Sequence, residues 1–490
     1  MSQIGDLIAR AARQFGGKPC LVEGDRVVSF ADFDAATNRF ARAMRTLGLA
    51  HGDRVGVLLP NGIDCLVAYY GLAKAGLVRV SLNSRDTPAD LLLKLTEVGA
   101  RAVLVGDDAP DLGVDIILPP ARLQSLLAAA TDDPVGIERT LDEPYRLGFT
   151  GGTTGRPKAV TLTERGELAE LSAFLTDLVP DIGPDDRFLH AAPIAHASGA
   201  FFLPALVRGT TSLVMARFDA AAFVALASAT RATMTFLVPT MLALLLEEQS
   251  LAGAELALRR IAYGASPIAP ALYARAEQRF GRVFAQTYGQ AESPMVITCL
   301  KPDEHDRIGS CGRPFTLAQV AVMDDEGQLL PPGGVGEIVV KGPQVMARYW
   351  ERPEATADAF CGGWLHTGDI GRMDEEGFFY LLDRKGDMLI SGGYNVYPRE
   401  VEDVLLAFPG VVEAAVIGLP DETWGDRVHA VVSGQGVDTA ALMAHARAAL
   451  AGYKAPKSID VWDVLPKSPA NKILRREVKR RVLAGQEVTA

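Results

Sequence analysis

Apolar residues recur at Ile4, Leu7, Ile8, Ala11, Ala12 and Phe15, the spacing of one face of an amphipathic helix. Beyond this opening helix, strand-like runs alternate with helical ones. Strands are predicted over 55–59, 78–82 and 102–105, and helices over 63–75 and 88–98. The alternation returns in strands 211–215, 234–238 and 260–263 and in helices 220–229, 241–248 and 267–280. Short apolar strands separated by helices are the pattern of α/β layers with mostly parallel sheets. The most apolar stretch, 235–246, is interrupted by Pro239 and Thr240 and reads as a buried strand followed by a helix.

The texture changes after residue 310, where turns rich in Gly and Pro at 324–327 and 331–334 separate short strands such as 337–341. This predicts a β-rich subdomain. A charged turn, Asp383-Arg384-Lys385-Gly386-Asp387, follows a strand predicted over 378–382. Beyond it, helix 398–407, strand 411–418 and helix 439–451 make a small pattern of their own. The expected fold class is therefore α/β: a large N-terminal domain of layered α/β subdomains plus a β-rich subdomain, residues 1–385, and a small α+β C-terminal domain, residues 386–490.

Composition narrows the function. A chain of 490 residues exceeds what one hydrophobic core usually supports, in keeping with two domains. Its 49 basic and 60 acidic side chains leave a net charge of −11, without the basic surplus that binding nucleic acid requires. The cysteines Cys20, Cys65, Cys299, Cys311 and Cys361 form no C-x-x-C pair, and the seven histidines make no zinc-like cluster. Reduced thiols in the cytoplasm are the plain reading. No apolar run reaches the ~18 residues of a membrane span, and Asp6 near the start argues against a secretory signal.

The segment Phe149-Thr150-Gly151-Gly152-Thr153-Thr154-Gly155-Arg156-Pro157-Lys158 lies between predicted strands 145–149 and 159–163. Its glycines let backbone N–H groups approach an anion, its threonines add hydroxyl donors, and Lys158 adds a charge, a combination suited to a polyphosphate. The spacing is not that of a Walker A loop. Taken alone, G-G-T-T-G would pass as a glycine-rich turn; the full string is more specific.

Further motifs follow in order: Pro193-Ile194-Ala195-His196, Gln286-Thr287-Tyr288-Gly289-Gln290-Ala291-Glu292, residues 309–314, Trp364-Leu365-His366-Thr367-Gly368-Asp369, the turn 383–387, Ser391-Gly392-Gly393 with Asn395-Val396-Tyr397-Pro398, and residues 466–475. This set spans essentially the whole chain. It resembles the adenylate-forming superfamily of acyl- and aryl-CoA synthetases, luciferase and peptide-synthetase adenylation domains, and is most similar to bacterial fatty-acyl and aryl-CoA ligases.

The resemblance implies an enzyme that uses ATP and Mg²⁺ to convert a carboxylic acid into an acyl-adenylate, releases pyrophosphate, and then forms a thioester with coenzyme A. It implies that Thr150, Gly151, Gly152, Thr153, Thr154, Gly155 and Lys158 hold the ATP phosphates, with Thr153 among the catalytic groups. Gly264, Ala265 and Ser266 would line one side of adenine and Tyr288 stack on it, flanked by Thr287, Gly289 and Gln290. Glu292 would help hold Mg²⁺, Asp369 and Arg384 the ribose. Lys472 would touch the substrate carboxylate and the α-phosphate, where a cation offsets the charge of two anions brought together. His196, Gly199, Phe201, Phe236 and Met295 would belong to the acyl pocket, and Gly392, Gly393, Tyr394 and Lys454 to the coenzyme A path. Lys385 and Gly386 would form the hinge of a mobile C-terminal domain.

Taken singly, Asp369 would read as a turn residue, Glu292 as an acid at a helix N-terminus, and Lys472 as one more lysine of the basic tail 467–481. The ordered motif set favours the functional reading of these three. For His196 a structural role, and for Lys454 a solvated one, stay open. The sequence also departs from the common pattern: Gly151 stands where serine is frequent, Ala159 where glycine is usual, Ala291 for threonine, Asn471 for glycine, and Gly386 where many relatives carry Asp or Lys. None of these removes a charged catalytic group, and glycine can itself supply a hinge's freedom.

The predicted pocket segments are small or apolar and offer no evident Arg or Lys for a second carboxylate. A hydrophobic acid, medium-chain fatty or aryl, is therefore expected over malonate, because a buried unpaired charge is costly. Transfer of the acyl group to a carrier protein or an amine is the alternative to coenzyme A. Monomer and homodimer both remain open.

Overall fold

The computed structural model describes residues 3–106, 110, 112–150, 157–421, 424–467 and 473–485. The opening helix, Ile4–Phe15, buries Ile4, Leu7, Ile8 and Ala11 and is capped by Gln3 and Asp6. The predicted alternation is present, with ends displaced where proline intervenes. Pro239, read as an interruption, instead starts the helix Pro239–Glu247, and the helix expected from 267 begins at Pro270. Proline suits a first helical turn because its missing N–H would have no partner there.

Three sheets organise the described residues. In the seven-stranded sheet, Arg54–Leu58 lies between the parallel strands Val78–Ser81 and Ala102–Val105. Pro144–Phe149 extends it beside Val78–Ser81, and Ala159–Thr163 folds back antiparallel. In the fourteen-stranded sheet, Thr211–Val214, Arg187–His190, Met234–Leu237, Arg260–Gly264 and Phe284–Gln290 are successive parallel neighbours. Ser293–Leu300 then pairs antiparallel with Phe284–Gln290, and the β-rich strands continue from there. The change of texture predicted after 310 thus starts one strand earlier and within the same sheet. A two-residue connection, Ala291-Glu292, can join strands only as an antiparallel hairpin.

The third sheet draws on strands from Leu389–Ser391 to Ser458–Val461. Its apolar centre includes Val396, Val401, Leu405, Val428 and Leu442. The strand expected over 378–382 is Phe379–Arg384, so Asp383 and Arg384 belong to a strand and not to the turn. Its end is set by pairing with Trp364–Met373, which places Arg384 opposite Asp369.

One buried histidine carries a pH prediction. His190 is fully buried, with Nδ1 3.1 Å from both the carbonyl oxygen and the hydroxyl of Ser198, and Nε2 3.2 Å from the hydroxyl of Ser212. Burial lowers its pKa to about 4. An unfolded histidine takes up a proton near pH 6.5, whereas the folded one resists until about pH 4, so stability is lost as pH falls through that interval. The expected loss from this residue is about 2 kcal/mol by pH 5. Denaturant titrations of His190→Gln at pH 7 and pH 5 should show an acid loss shallower by that amount; equal losses in both proteins would contradict the assignment.

Candidate active site

Parallel strands deliver their carboxyl ends to one edge, where ligand sites of α/β sheets form. Here the segments after Arg187–His190, Met234–Leu237, Arg260–Gly264 and Phe284–Gln290 emerge side by side. These carry His196, Val238, Ala265-Ser266 and Glu292. Close backbone approach explains two glycines: a Cβ on Gly264 would lie 2.4 Å from the Thr287 carbonyl oxygen, and one on Gly289 2.3 Å from the Met295 nitrogen. Ala265 and Met295 have φ of 68° and 56°, left-handed values that are costly with a Cβ and that gather at functional sites. The Thr287 hydroxyl donates to the Met295 carbonyl and pins that strained residue.

The phosphate-loop segment connects two paired strands, with Phe149 opposite Ala159. At its base the Thr150 N–H donates to the Lys158 carbonyl at 3.1 Å, and the Lys158 N–H to the Thr150 hydroxyl at 3.4 Å. Gly151, Gly152, Thr153, Thr154 and Gly155 lie outside the described residues. The Lys158 ammonium stands 4.5 Å from the centre of the Tyr349 ring, a cation–π contact. The Tyr349 hydroxyl donates to Glu292 Oε1 at 2.7 Å. Glu292 sits in the hairpin turn between Phe284–Gln290 and Ser293–Leu300, so the helix-terminal reading of this acid is corrected. Among the described residues no three His, Cys, Asp or Glu side chains gather to hold a metal. One carboxylate completed by substrate phosphates fits Mg²⁺, which favours such shared coordination.

On the same hairpin, the Tyr288 hydroxyl donates to Asp369 Oδ2 at 2.5 Å, while Arg384 Nε lies 2.7 Å from Asp369 Oδ1. Three residues separated widely in sequence therefore form one polar chain. Tyr288, expected as an adenine-stacking ring, keeps only 9% of its surface exposed, and burial pushes its phenol well above the ordinary range. A carboxylate oxygen can accept more than one hydrogen bond, so these partners do not preclude ribose contacts by Asp369.

The acyl-pocket expectations divide. His196 is exposed at the start of Ala197–Ala200. A Cβ on Gly199 would meet the Ile194 carbonyl oxygen at 2.2 Å, so this glycine serves packing. Phe201 and Phe236 are fully buried. Phe201 stacks on Phe188 with ring centres 4.9 Å apart, and Phe236 lies 5.6 Å away. They form core and present no surface in this conformation; burying an aromatic ring is strongly favourable and needs no ligand. The partly buried apolar residues around that core include Ala197, Ala200, Val238, Met241 and Met295. Ala197, Ala200, Val238 and Met295 lie in segments that the sequence assigns to the pocket walls, and Met241 lies just beyond them.

In the C-terminal part, Lys472 lies outside the described residues; its flanks meet in a bridge between Lys467 and Ile473. Gly392-Gly393 forms the two-residue turn between Leu389–Ser391 and Tyr394–Val396, with φ of 59° and 81°, as such hairpin turns require. Tyr394 is exposed and stacks on Tyr453 with centres 4.8 Å apart. Lys454, expected either to meet a coenzyme A phosphate or to be solvated, donates to both Glu400 oxygens at 2.6 and 2.8 Å. Helix Pro398–Leu406 brings that acid to it, so it is an ion-paired lysine in this conformation. Gly386 has no left-handed φ and a Cβ there would meet nothing within 4 Å, so the freedom of glycine is not drawn on here. Lys385 pairs with Asp325 at 2.8 Å and Glu337 at 3.4 Å.

Arg475, to which the sequence gives no role of its own, bridges residues on both sides of Lys385 and Gly386. It donates to Glu402 at 2.8 and 2.6 Å, to Asp383 at 3.1 Å and to Asp387 at 2.9 Å. Tyr349 was missed as well. Both are side chains whose importance comes from distant partners.

The sequence matches the AMP-binding enzyme family over residues 8–350 and the AMP-binding enzyme C-terminal domain over residues 400–472. It is 37% identical to a feruloyl-CoA synthase of Amycolatopsis, covering 98% of this chain and 99% of that protein. It is 35% identical to the medium/long-chain-fatty-acid–CoA ligase FadD8 of Mycobacterium tuberculosis, covering 98% and 90%. Its fold is similar to the o-succinylbenzoate CoA synthetase of Bacillus subtilis in complex with its acyl-adenylate intermediate, with a TM-score of 0.90 and 32% identity over 98% of this chain and 99% of that one. The chain belongs to the AMP-binding, adenylate-forming enzymes. Its α/β architecture is that of the family, and no described helix is long and apolar enough to cross a membrane.

Proposed function

We propose that the protein is an ATP-dependent carboxylate–CoA ligase acting on a hydrophobic medium-chain fatty or aryl acid in the cytoplasm. The observation that carries this reading is the hairpin of Phe284–Gln290 and Ser293–Leu300, which joins Glu292 and the phosphate-loop Lys158 through Tyr349, and holds Tyr288 on Asp369, the partner of Arg384. One group of side chains suits a polyphosphate and the other a ribose.

A carboxylate is a poor acyl donor because oxide would have to leave. In the first step a carboxylate oxygen bonds to the α-phosphorus of ATP, the bond to the bridging oxygen breaks, and pyrophosphate departs. In the second, the coenzyme A sulfur bonds to the acyl carbon, AMP leaves and the thiol proton is lost. Lys158 and the loop 150–158 hold the phosphates. Asp369 and Arg384 orient the ribose, with Tyr288 positioning the aspartate, and the strained turn at Ala265 shapes the adenine wall. Lys472 carries its charge to the reacting anions. Glu292 would hold Mg²⁺ together with the substrate phosphates, and the ion would there supply Lewis-acid charge neutralisation. Residues 1–385 act as the adenylation domain, and residues 386–490 turn about Lys385–Gly386 between the steps.

The test is mass spectrometry of products from ATP, Mg²⁺, coenzyme A and a panel of acids. Acyl-CoA from medium-chain or aryl acids, with acetate and malonate turned over poorly, is the expected result. Acyl-AMP without thioester would move the reading to carrier-protein or amine transfer, and efficient use of malonate would overturn the pocket assignment.

A further inference from the structure

The segment 346–350 ties the phosphate-loop strand to the Glu292 turn. Ala347 and Trp350 N–H groups donate to the Thr161 and Ala159 carbonyls at 2.9 and 2.8 Å, and Tyr349 lies opposite Val160. In the other direction, the Met346 N–H donates to the Glu292 carbonyl at 2.7 Å and the Tyr349 hydroxyl to Glu292 Oε1 at 2.7 Å. Glu292 is thus held at both main chain and carboxylate by one short segment. Tyr349 itself is only 6% exposed, and its N–H donates to the Thr356 hydroxyl at 3.0 Å. Lys158 stands over the same ring at 4.5 Å, and among the described residues it makes no ion pair with Glu292 within 4.0 Å. The phenol stands between the two charges, giving its face to the cation and its hydroxyl to the anion.

We infer that Tyr349 is a positioning residue of the adenylation step, which keeps Lys158 and Glu292 apart and oriented so that phosphate and metal can engage them separately. This rests on the metal role proposed above for Glu292. Without the hydroxyl, Glu292 loses its fixed orientation and can collapse onto Lys158, and that pair must then be broken for MgATP to bind. The later transfer of an acyl group from a preformed adenylate needs neither the polyphosphate nor this arrangement.

The experiment compares wild type, Tyr349→Phe and Glu292→Gln in acid-dependent pyrophosphate exchange across a Mg²⁺ titration, and in thioester formation from preformed acyl-adenylate. Phenylalanine keeps the buried ring and removes only the donor. For Tyr349→Phe the half-saturating Mg²⁺ concentration is expected to rise about tenfold, as loss of a hydrogen bond to a charged group allows, with the KM for the acid and the rate of thioester formation unchanged. Glu292→Gln should raise the Mg²⁺ requirement at least as much, and the double variant should add little. If Glu292→Gln raises it and Tyr349→Phe does not, the inference on Tyr349 is overturned while the metal role stands. If Tyr349→Phe slows both half-reactions equally, its role is structural and the inference is likewise overturned. If Glu292→Gln leaves the Mg²⁺ dependence unchanged, the metal role falls first, and the inference falls with it.

Discussion

Lys472→Ala is expected to lower acid-dependent pyrophosphate exchange by about two to three orders of magnitude, the scale seen when one preorganised group that stabilises developing charge is removed. Thioester formation from preformed acyl-adenylate should survive. The physical reason is the meeting of two anions, the substrate carboxylate and the α-phosphate, which a lysine at their junction offsets; once the adenylate exists, that repulsion is gone. The substitution should leave the fold intact, because the flanks of the segment are held independently by the Lys467–Ile473 bridge and by the Leu474 N–H donating to the Pro466 carbonyl at 2.9 Å. Pyrophosphate exchange measured in the variant decides the matter: unchanged exchange would remove Lys472 from the first step.

Arg475→Met should destabilise the protein by about 3–5 kcal/mol, as removing one partner from a buried ionic network does. Asp383, whose side chain is 2% exposed, and Glu402, at 12%, would lose the guanidinium that compensates them. The deficit should depend on pH. Burial already raises the Glu402 pKa against the opposing pull of Arg475, and removing that cation raises it further. A carboxyl whose folded pKa lies above its unfolded value favours the folded state at low pH, and that contribution is lost as pH rises through the folded pKa. The gap between wild type and variant should therefore narrow on going from pH 8 to pH 5. Denaturant titrations at the two pH values test this, and a gap that is below 1 kcal/mol or independent of pH would contradict the account. Because Asp383 lies in the strand before Lys385 and Gly386, and Glu402 in the helix after them, the same contacts fasten these two elements together in this conformation.

Much of this protein follows from local rules. Strand and helix periodicities place most of the α/β layers, since each depends on residues a few positions apart. The Gly392-Gly393 turn is legible for the same reason, because only residues tolerant of left-handed φ close so short a hairpin. The ordered motifs identify the family and its chemistry before any geometry is known.

What the chain order alone left open was settled by pairing between distant segments. The extension of Phe379–Arg384 to Arg384 depends on register with Trp364–Met373, which no local pattern encodes. Phe201 and Phe236 have the composition of pocket walls, and only tertiary packing, of Phe201 on Phe174 and Phe188 and of Phe236 on Phe201, buries them. Lys454 has a phosphate-binding residue type, and Glu400, 54 positions away, engages it. Tyr349 reaches Glu292 across 57 positions and Arg475 reaches Asp383 across 92. By itself the sequence determined the class of fold, the family and the kinds of residue at the site. The tertiary structure decided which of those side chains meet one another, because hydrogen bonds and ion pairs between distant residues exist only once the sheets have fixed their register and brought their ends to a common edge.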